Sequence, residues 1–194
     1  MPSVSYGIVV EGPSDTAVYE EFIRKICSTD VEIIPRLARG VSDLMKHFPN
    51  FLRDLEYIKQ GRPVDKALVI RDSGRRDPAS VEQEMADRIE GSTFSFSNGI
   101  QFHAVRKEME TWLLADVEAI NSVALSRGGR RVTPIQETLE DIVDPKERLI
   151  RLLSAAGLPY DFGVCREIAR QANVETLRYR CPSFRSFKQK VIDC

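Results

Sequence analysis

Apolar residues recur along this chain in two rhythms. Residues 4–10 form a short, β-branched apolar run that stops at Glu11-Gly12-Pro13-Ser14-Asp15, and its length and composition predict a buried strand. Over residues 15–26 the apolar positions Ala17, Val18, Phe22, Ile23 and Ile26 keep helical spacing, with Ser14 expected as N-cap and Asp15 in the first turn. Residues 31–35 predict a second strand. Residues 42–58 carry Leu44, Met45, Phe48, Phe51, Leu52, Leu55 and Ile58 on one apolar side, and Pro49 is expected to kink or split that helix. Ala67-Leu68-Val69-Ile70 is a third buried strand, ending in Arg71-Asp72-Ser73-Gly74. A helix over 78–89 follows, opened by Pro78 near its first turn. Residues 100–105 predict a fourth strand, and 106–120 continue as one helix with Met109, Trp112, Leu113, Ala115 and Val117 near one side, so Trp112 belongs to the core.

Strand and helix thus alternate four times, the pattern of an α/β fold with a parallel four-stranded sheet flanked by helices. The pattern changes near residue 127. Arg127-Gly128-Gly129-Arg130-Arg131 reads as a mobile basic loop, and residues 145–156, 164–172 and 183–192 are helical in spacing with no clear strand among them. The expected organisation is an α/β core over 1–126 and a helical C-terminal appendage over 127–194 packed on it.

Composition narrows this picture. A chain of 194 residues that is 42% hydrophobic is long enough for one compact core. Lys and Arg number 28 against 29 Asp and Glu, a formal charge of −1, which is not the footprint of a strongly basic nucleic-acid-binding domain but leaves room for a local basic stripe. Cys27, Cys165, Cys181 and Cys194 form no C-x-x-C pair, and with two histidines they make neither a zinc site nor a disulfide framework; reduced thiols in a cytoplasmic protein are expected. No apolar run approaches the ~20 residues of a membrane span, so no membrane association is expected, and no basic stretch precedes the first apolar run as it does in a secretion signal. There is no G-x-x-x-x-G-K-[ST], hence no phosphate-cradling loop for ATP hydrolysis.

The acids carry the chemistry. Parallel α/β sheets bind ligands beyond the carboxyl ends of their strands, and three such ends here bear carboxylates: Glu11 after the first strand, Asp72 at the third, Glu108 and Glu110 after the fourth. Asp15, four residues past Glu11, faces the same crevice across the strand-to-helix turn. Carboxylates gathered in one place repel one another, and a divalent cation relieves that repulsion. An all-oxygen donor set selects Mg²⁺, Mn²⁺ or Ca²⁺ over zinc. With four or five acids two ions are in reach, and a pair ~4 Å apart stabilises both the attacking and the leaving oxygen of phosphodiester cleavage.

At these residues the chain resembles the TOPRIM superfamily, which includes topoisomerase and primase catalytic domains and the OLD (overcoming lysogenization defect) nucleases. Val9-Val10-Glu11-Gly12-Pro13-Ser14-Asp15 matches the first motif, and Leu68-Val69-Ile70-Arg71-Asp72-Ser73-Gly74 stands where the Asp-x-Asp motif should be. The stretch 106–116, Arg-Lys-Glu-Met-Glu-Thr-Trp-Leu-Leu-Ala-Asp, and the tail Arg180-Cys181-Pro182-Ser183-Phe184 resemble a bacterial family known as domain of unknown function 4276, related to OLD-type enzymes. The resemblance implies a TOPRIM-like (Rossmann-like) core and a Mg²⁺- or Mn²⁺-dependent nuclease, acting on DNA ahead of RNA, in anti-phage defence and beside an ATPase partner. It assigns Glu11, Asp15, Asp72, Glu108 and Glu110 to the metal. Glu11 and Asp72 would serve catalysis together with a late lysine, for which Lys188 and Lys190 are the candidates. One departure stands out: the second acid of Asp-x-Asp is Gly74 here, and Asp77 lies three residues too far along. That departure keeps a second reading open, a catalytically weak nucleic-acid- or nucleotide-binding subunit of an ATPase-containing complex.

Basic residues supply candidate phosphate contacts. Arg178, Arg180, Arg185, Lys188 and Lys190 fall in a stretch without an acid, and Arg71 and Arg106 flank the acidic motifs. Each either grips phosphate or merely balances charge. His47 and His103 have no partner that spacing identifies.

Overall fold

The structure, a computed structural model, describes residues 4–27 and 30–193, so the expectation for Cys194 lies outside the described residues. Four strands, β1 (Ser5–Val10), β2 (Glu32–Leu37), β3 (Lys66–Asp72) and β4 (Ile100–Val105), pair in the order β2-β1-β3-β4, every pairing parallel. Helix α1 (Pro13–Cys27) leads from β1 to β2, α2 (Val41–Tyr57) from β2 to β3, and α3 (Pro78–Asp87) from β3 to β4. After β4 come α4 (Glu110–Leu113), α5 (Val117–Ser126), α6 (Pro145–Ala156), α7 (Phe162–Gln171), α8 (Val174–Arg180) and α9 (Pro182–Ile192). The chain is therefore α/β, with a four-stranded all-parallel sheet flanked by helices.

Two hydrophobic clusters cover the two faces of the sheet. Tyr6, Ile8 and Val10 of β1, with Leu68 and Ile70 of β3, pack against α1 and the helices after β4; Val9, Ala67 and Val69 pack against α2 and α3. Side chains alternate across a strand, so a strand covered on both faces shows an unbroken apolar run instead of an apolar–polar alternation. Each fully buried Val, Leu, Ile or Phe contributes about 1.5–3 kcal/mol. Each sheet edge carries features that hinder further pairing. Pro35 interrupts the hydrogen-bonding capacity of β2. On β4, Glu82 accepts the Ala104 N–H at 2.9 Å and Lys190 donates to the Phe102 carbonyl at 2.7 Å.

The C-terminal helices share the larger cluster with the sheet. Trp112, fully buried, meets Phe184 edge-on at 5.1 Å, Phe187 at 5.1 Å, Tyr19 at 5.9 Å and Phe22 at 6.0 Å. Helix α9 is fastened at both ends: Trp112 Nε1 donates to Ser183 Oγ at 2.9 Å, while Tyr6 Oη and the buried Lys66 Nζ each donate to the Val191 carbonyl at 3.1 Å.

Four local expectations are corrected. Pro49 does not split α2, which runs unbroken over 17 residues; Leu44, Met45, Phe48, Leu52 and Leu55 are buried on both sides of it, and together they outweigh the ~3 kcal/mol that a mid-helix proline costs. Ser14 is not a cap, because α1 already starts at Pro13. The helix expected over 106–120 is two helices, since Asp116 turns its side chain to cap α5 by accepting the Ala119 N–H and accepts the Asn173 N–H at 2.7 Å as well. The 127–131 segment is pinned rather than mobile. Arg127 forms a two-pronged pair with Glu167 (2.7 and 3.1 Å), Arg130 donates to the Ala155 carbonyl, and Arg131 pairs with Glu118. All these partners are distant in sequence, so spacing could not reveal them.

Gly129 is a tight point in this segment: a Cβ there would lie 2.3 Å from the Ala156 carbonyl oxygen. Gly129→Ala is expected to destabilise the protein by about 1–3 kcal/mol, read as a lower midpoint in a thermal melt. Gly128 has open space and a left-handed φ of 75°, so Gly128→Asn, which tolerates that conformation, is expected to melt close to wild type. Equal melting of the two variants would contradict the packing described.

Candidate functional site

The strand order decides where a site can form. From β1 the chain leaves toward β2, and from the adjacent β3 it leaves toward β4, on opposite sides. The two connections diverge and open a crevice at the carboxyl ends of β1 and β3, the switch point at which open parallel sheets bind ligands. Glu11 is the residue immediately after β1, and Asp72 is the last residue of β3. They are neighbours: Glu11 Oε1 accepts the Asp72 N–H at 2.9 Å.

Asp72 in turn accepts the Met109 N–H on Oδ1 at 3.1 Å, drawing in the segment after β4. Two further bonds lock the same loops: the Lys107 N–H donates to Ser73 Oγ at 3.1 Å and the Gly74 N–H donates to the Lys107 carbonyl at 3.0 Å. Lys107 is held at φ 62°, a left-handed conformation costly for a residue with a side chain, opposite Gly74 at φ 58°. This clasp aims Glu108 and Glu110 at the crevice. Glu108 Oε2 accepts the Lys146 N–H at the start of α6 at 3.0 Å, and Glu110 Oε1 accepts the Tyr160 hydroxyl proton. Asp15 joins from the first turn of α1.

The acids feel one another. Burial lifts Glu11 above the usual carboxylate range, offset in part by the Asp72 N–H and by Arg71. Burial first, then the charges of Glu11 and Glu110, push Asp15 to about 7. Asp72 is raised strongly, by burial and then by Glu11, Glu110, Asp15 and Glu108. Tyr19, buried beneath them, is driven up by burial and the carboxylates of Asp72, Asp15, Glu11 and Glu110, so its phenol stays protonated. Among the described residues no ion pair reaches any of the five acids.

The donor set is all oxygen, which suits a hard divalent cation. Among the described residues no group of three or more His, Cys, Asp or Glu side chains is placed so that it could hold a metal ion. Mg²⁺ does not require one: it retains waters and is usually held by one or two carboxylates plus substrate phosphate. Glu11 and Asp72 are the two carboxylates on adjoining strand ends, and Asp72 feels the charges of Glu11, Glu110, Asp15 and Glu108.

The basic residues divide. Arg71 is buried beside the cluster, its Nε donating to the Asp72 carbonyl at 3.3 Å. Arg106 lies on the neighbouring loop, 3.9 Å from Glu140. Three of the expected basic residues, Arg180, Lys188 and Lys190, are engaged elsewhere. Arg180 spends its guanidinium on the Ala115 and Ile135 carbonyls at 2.8 and 2.6 Å. Arg185 is an exposed residue of α9. Lys188 pairs with Glu175 at 2.8 Å, and Lys190 with Glu82 at 2.6 Å. Asp77 does not replace the missing acid either, because its carboxylate caps α3 by accepting the Ser80 N–H at 3.0 Å.

The lysine that does reach the acids is Lys146, which holds down the rise of Asp15. Its ammonium lies 5.5 Å from the centre of the Tyr160 ring. A cation in the first turn of a helix opposes the helix dipole, and that oddity was a visible cue after Pro145. Tyr160 offered none.

Because folding raises Asp15 from 3.8 to about 7, the folded chain holds a proton there that the unfolded chain sheds. The corresponding stability is fully present below about pH 4 and is lost as pH rises through 7. Asp15→Asn is therefore expected to melt higher than wild type above pH 7, with the difference closing by pH 4. Melts of both proteins at pH 8 and pH 4 check this, and an Asn variant whose gain over wild type is no larger at pH 8 than at pH 4 would contradict the crowding.

No curated protein and no solved structure matches the chain. The family model described as domain of unknown function (DUF4276) matches residues 10–192. That span runs from the last residue of β1 to the end of α9 and takes in all five acids, and the chain is a member of the DUF4276 family.

Proposed function

We propose that this protein is a metal-dependent phosphodiester hydrolase of TOPRIM type, related to OLD nucleases, that cleaves nucleic acid, DNA ahead of RNA. The observation that carries the reading is the placement of Glu11 against the Asp72 N–H at the switch point of the sheet, with three further carboxylates around them and no cation paired to any among the described residues. Mg²⁺ or Mn²⁺, when bound, would supply charge neutralisation at the phosphoryl oxygens and acidify a water.

The chain's own groups do the rest. Glu11 and Asp72 would hold the ion, and the Met109 N–H fixes the Asp72 carboxylate. Tyr160, its phenol held well above the usual range by burial and Glu110, keeps its proton and orients the Glu110 carboxylate. Lys146 takes the place given to Lys188 in the sequence reading, as the cation that meets phosphate charge. Arg71 steadies the loop from behind. Action in anti-phage defence, next to an ATPase, belongs to the same proposal and follows from the OLD resemblance.

A second reading, a binding subunit with little catalysis of its own, is favoured by Gly74 in place of an acid and by the commitment of Asp77 to the α3 cap. A cleavage assay in Mn²⁺ on plasmid and single-stranded DNA and on RNA separates the two. Wild type is expected to cut. Glu11→Gln and Asp72→Asn should lose at least about 100-fold, and Lys146→Met about 10- to 100-fold, whereas Lys188→Ala should cut as wild type. Binding without cutting, in every variant including wild type, would establish the second reading and overturn the first.

A further inference from the structure

Behind the Asp72 loop lies a hollow of about 270 Å³ lined by Gly74, Arg75, Arg76, Asp77, Pro78, Arg106 and Lys107. Four of these carry positive charge and one carries negative. Asp77 is occupied in capping α3, accepting from both the N–H and the hydroxyl of Ser80. Arg76 pairs with Glu84 at 2.7 Å, and Lys107 donates to the Ile142 carbonyl. Arg106 stands 3.9 Å from Glu140 and keeps 48% of its side-chain exposure. Arg75 is exposed, and no ion pair or hydrogen bond engages its guanidinium among the described residues. The walls are set by the left-handed pair Gly74 and Lys107, the same clasp that fixes Asp72 and Glu108.

We propose that this hollow receives a backbone phosphate of the nucleic acid next to the one at the acid crevice, with Arg75 and Arg106 as its principal contacts; the inference rests on the nucleic-acid reading above. Arg75 is three positions along the chain from Asp72, so their backbones lie within about 11 Å. That places a cationic recess directly beside an anionic crevice. The two suit different parts of one strand: the acids with a hard cation at the reacting phosphate, the arginines at a neighbouring phosphate that needs no ion. Arginine forks match phosphate oxygens in pairs, and such contacts set the register of the strand without reading its bases. Holding the strand on rigid loops, one of them strained at Lys107, keeps the reacting phosphate in place.

The test measures binding of a short fluorescent DNA duplex to the full chain, with Ca²⁺ in place of Mg²⁺, over a range of salt concentration. The double variant Arg75→Ala/Arg106→Ala is expected to bind about tenfold more weakly at low salt, and its plot of log affinity against log salt should be shallower by about 2. Arg62→Ala, in the loop at the amino end of the sheet, removes one exposed arginine elsewhere and should bind as wild type. Both arginines of the double variant are exposed, and a thermal melt confirms that it folds. Unchanged affinity and slope in the double variant, or an equal loss in Arg62→Ala, overturns the hollow as a phosphate site. That outcome, together with Glu11-dependent cleavage in Mn²⁺, leaves the metal-centre reading standing. Cleavage indifferent to Glu11→Gln with the arginine effect intact sinks the metal centre and leaves the hollow. A wild-type chain that binds no nucleic acid at any salt overturns both.

Discussion

Mutual repulsion among carboxylates at the carboxyl ends of β1 and β3 is the constraint on which the candidate site is built. The order β2-β1-β3-β4 makes β1 and β3 neighbours whose connections part company, so the crevice between them falls between Glu11 and Asp72. A hydrogen bond from the Asp72 N–H to Glu11 joins the two loops, and a second, from the Met109 N–H to Asp72, adds the loop after β4. These bonds stabilise the ionised form of each acid, yet burial and neighbouring charge still raise Glu11, Asp15 and Asp72. Among the described residues no ion pair relieves this crowding, and unrelieved crowding of this kind clusters at functional sites.

The helices after β4 complete the site instead of merely covering the sheet. Lys146 at the head of α6 brings a cation and a backbone donor, and Tyr160 brings a phenol to Glu110. Their position depends on apolar packing some distance away. Trp112 lies two residues past Glu110 and is enclosed by Tyr19, Phe22, Phe184 and Phe187. That aromatic group fixes the one-turn helix α4, which by itself is far too short to persist, and so fixes Glu110 at its first position and Glu108 just before it. The left-handed Lys107 fits the same logic, because the surrounding hydrogen bonds over-determine a backbone conformation that would otherwise relax.

Local pattern carried much of the fold. The apolar runs at β1 and β3, the helical stripes of α1, α2 and α3, and the alternation of the two are short-range signals, and each reports burial of a face that the sheet then supplies. The acids at the strand ends were legible for the same reason, since a strand end is a position along the chain. What failed were features set by partners far away. Asp116 breaks a helix to cap another and to meet Asn173. Arg127 and Arg131 hold a loop that composition alone would leave loose. Lys188 has the right charge but faces Glu175.

By itself, then, the sequence determined the parallel α/β class, the family and the acids available, because periodicity and motif spacing are written along the chain. Only the tertiary structure decided that Glu11 and Asp72 touch, that Lys146 and Tyr160 stand among the acids, and that Arg75 and Arg106 share a hollow beside them. Those relations join residues tens of positions apart, and a one-dimensional pattern records charge and hydrophobicity but not which distant groups meet.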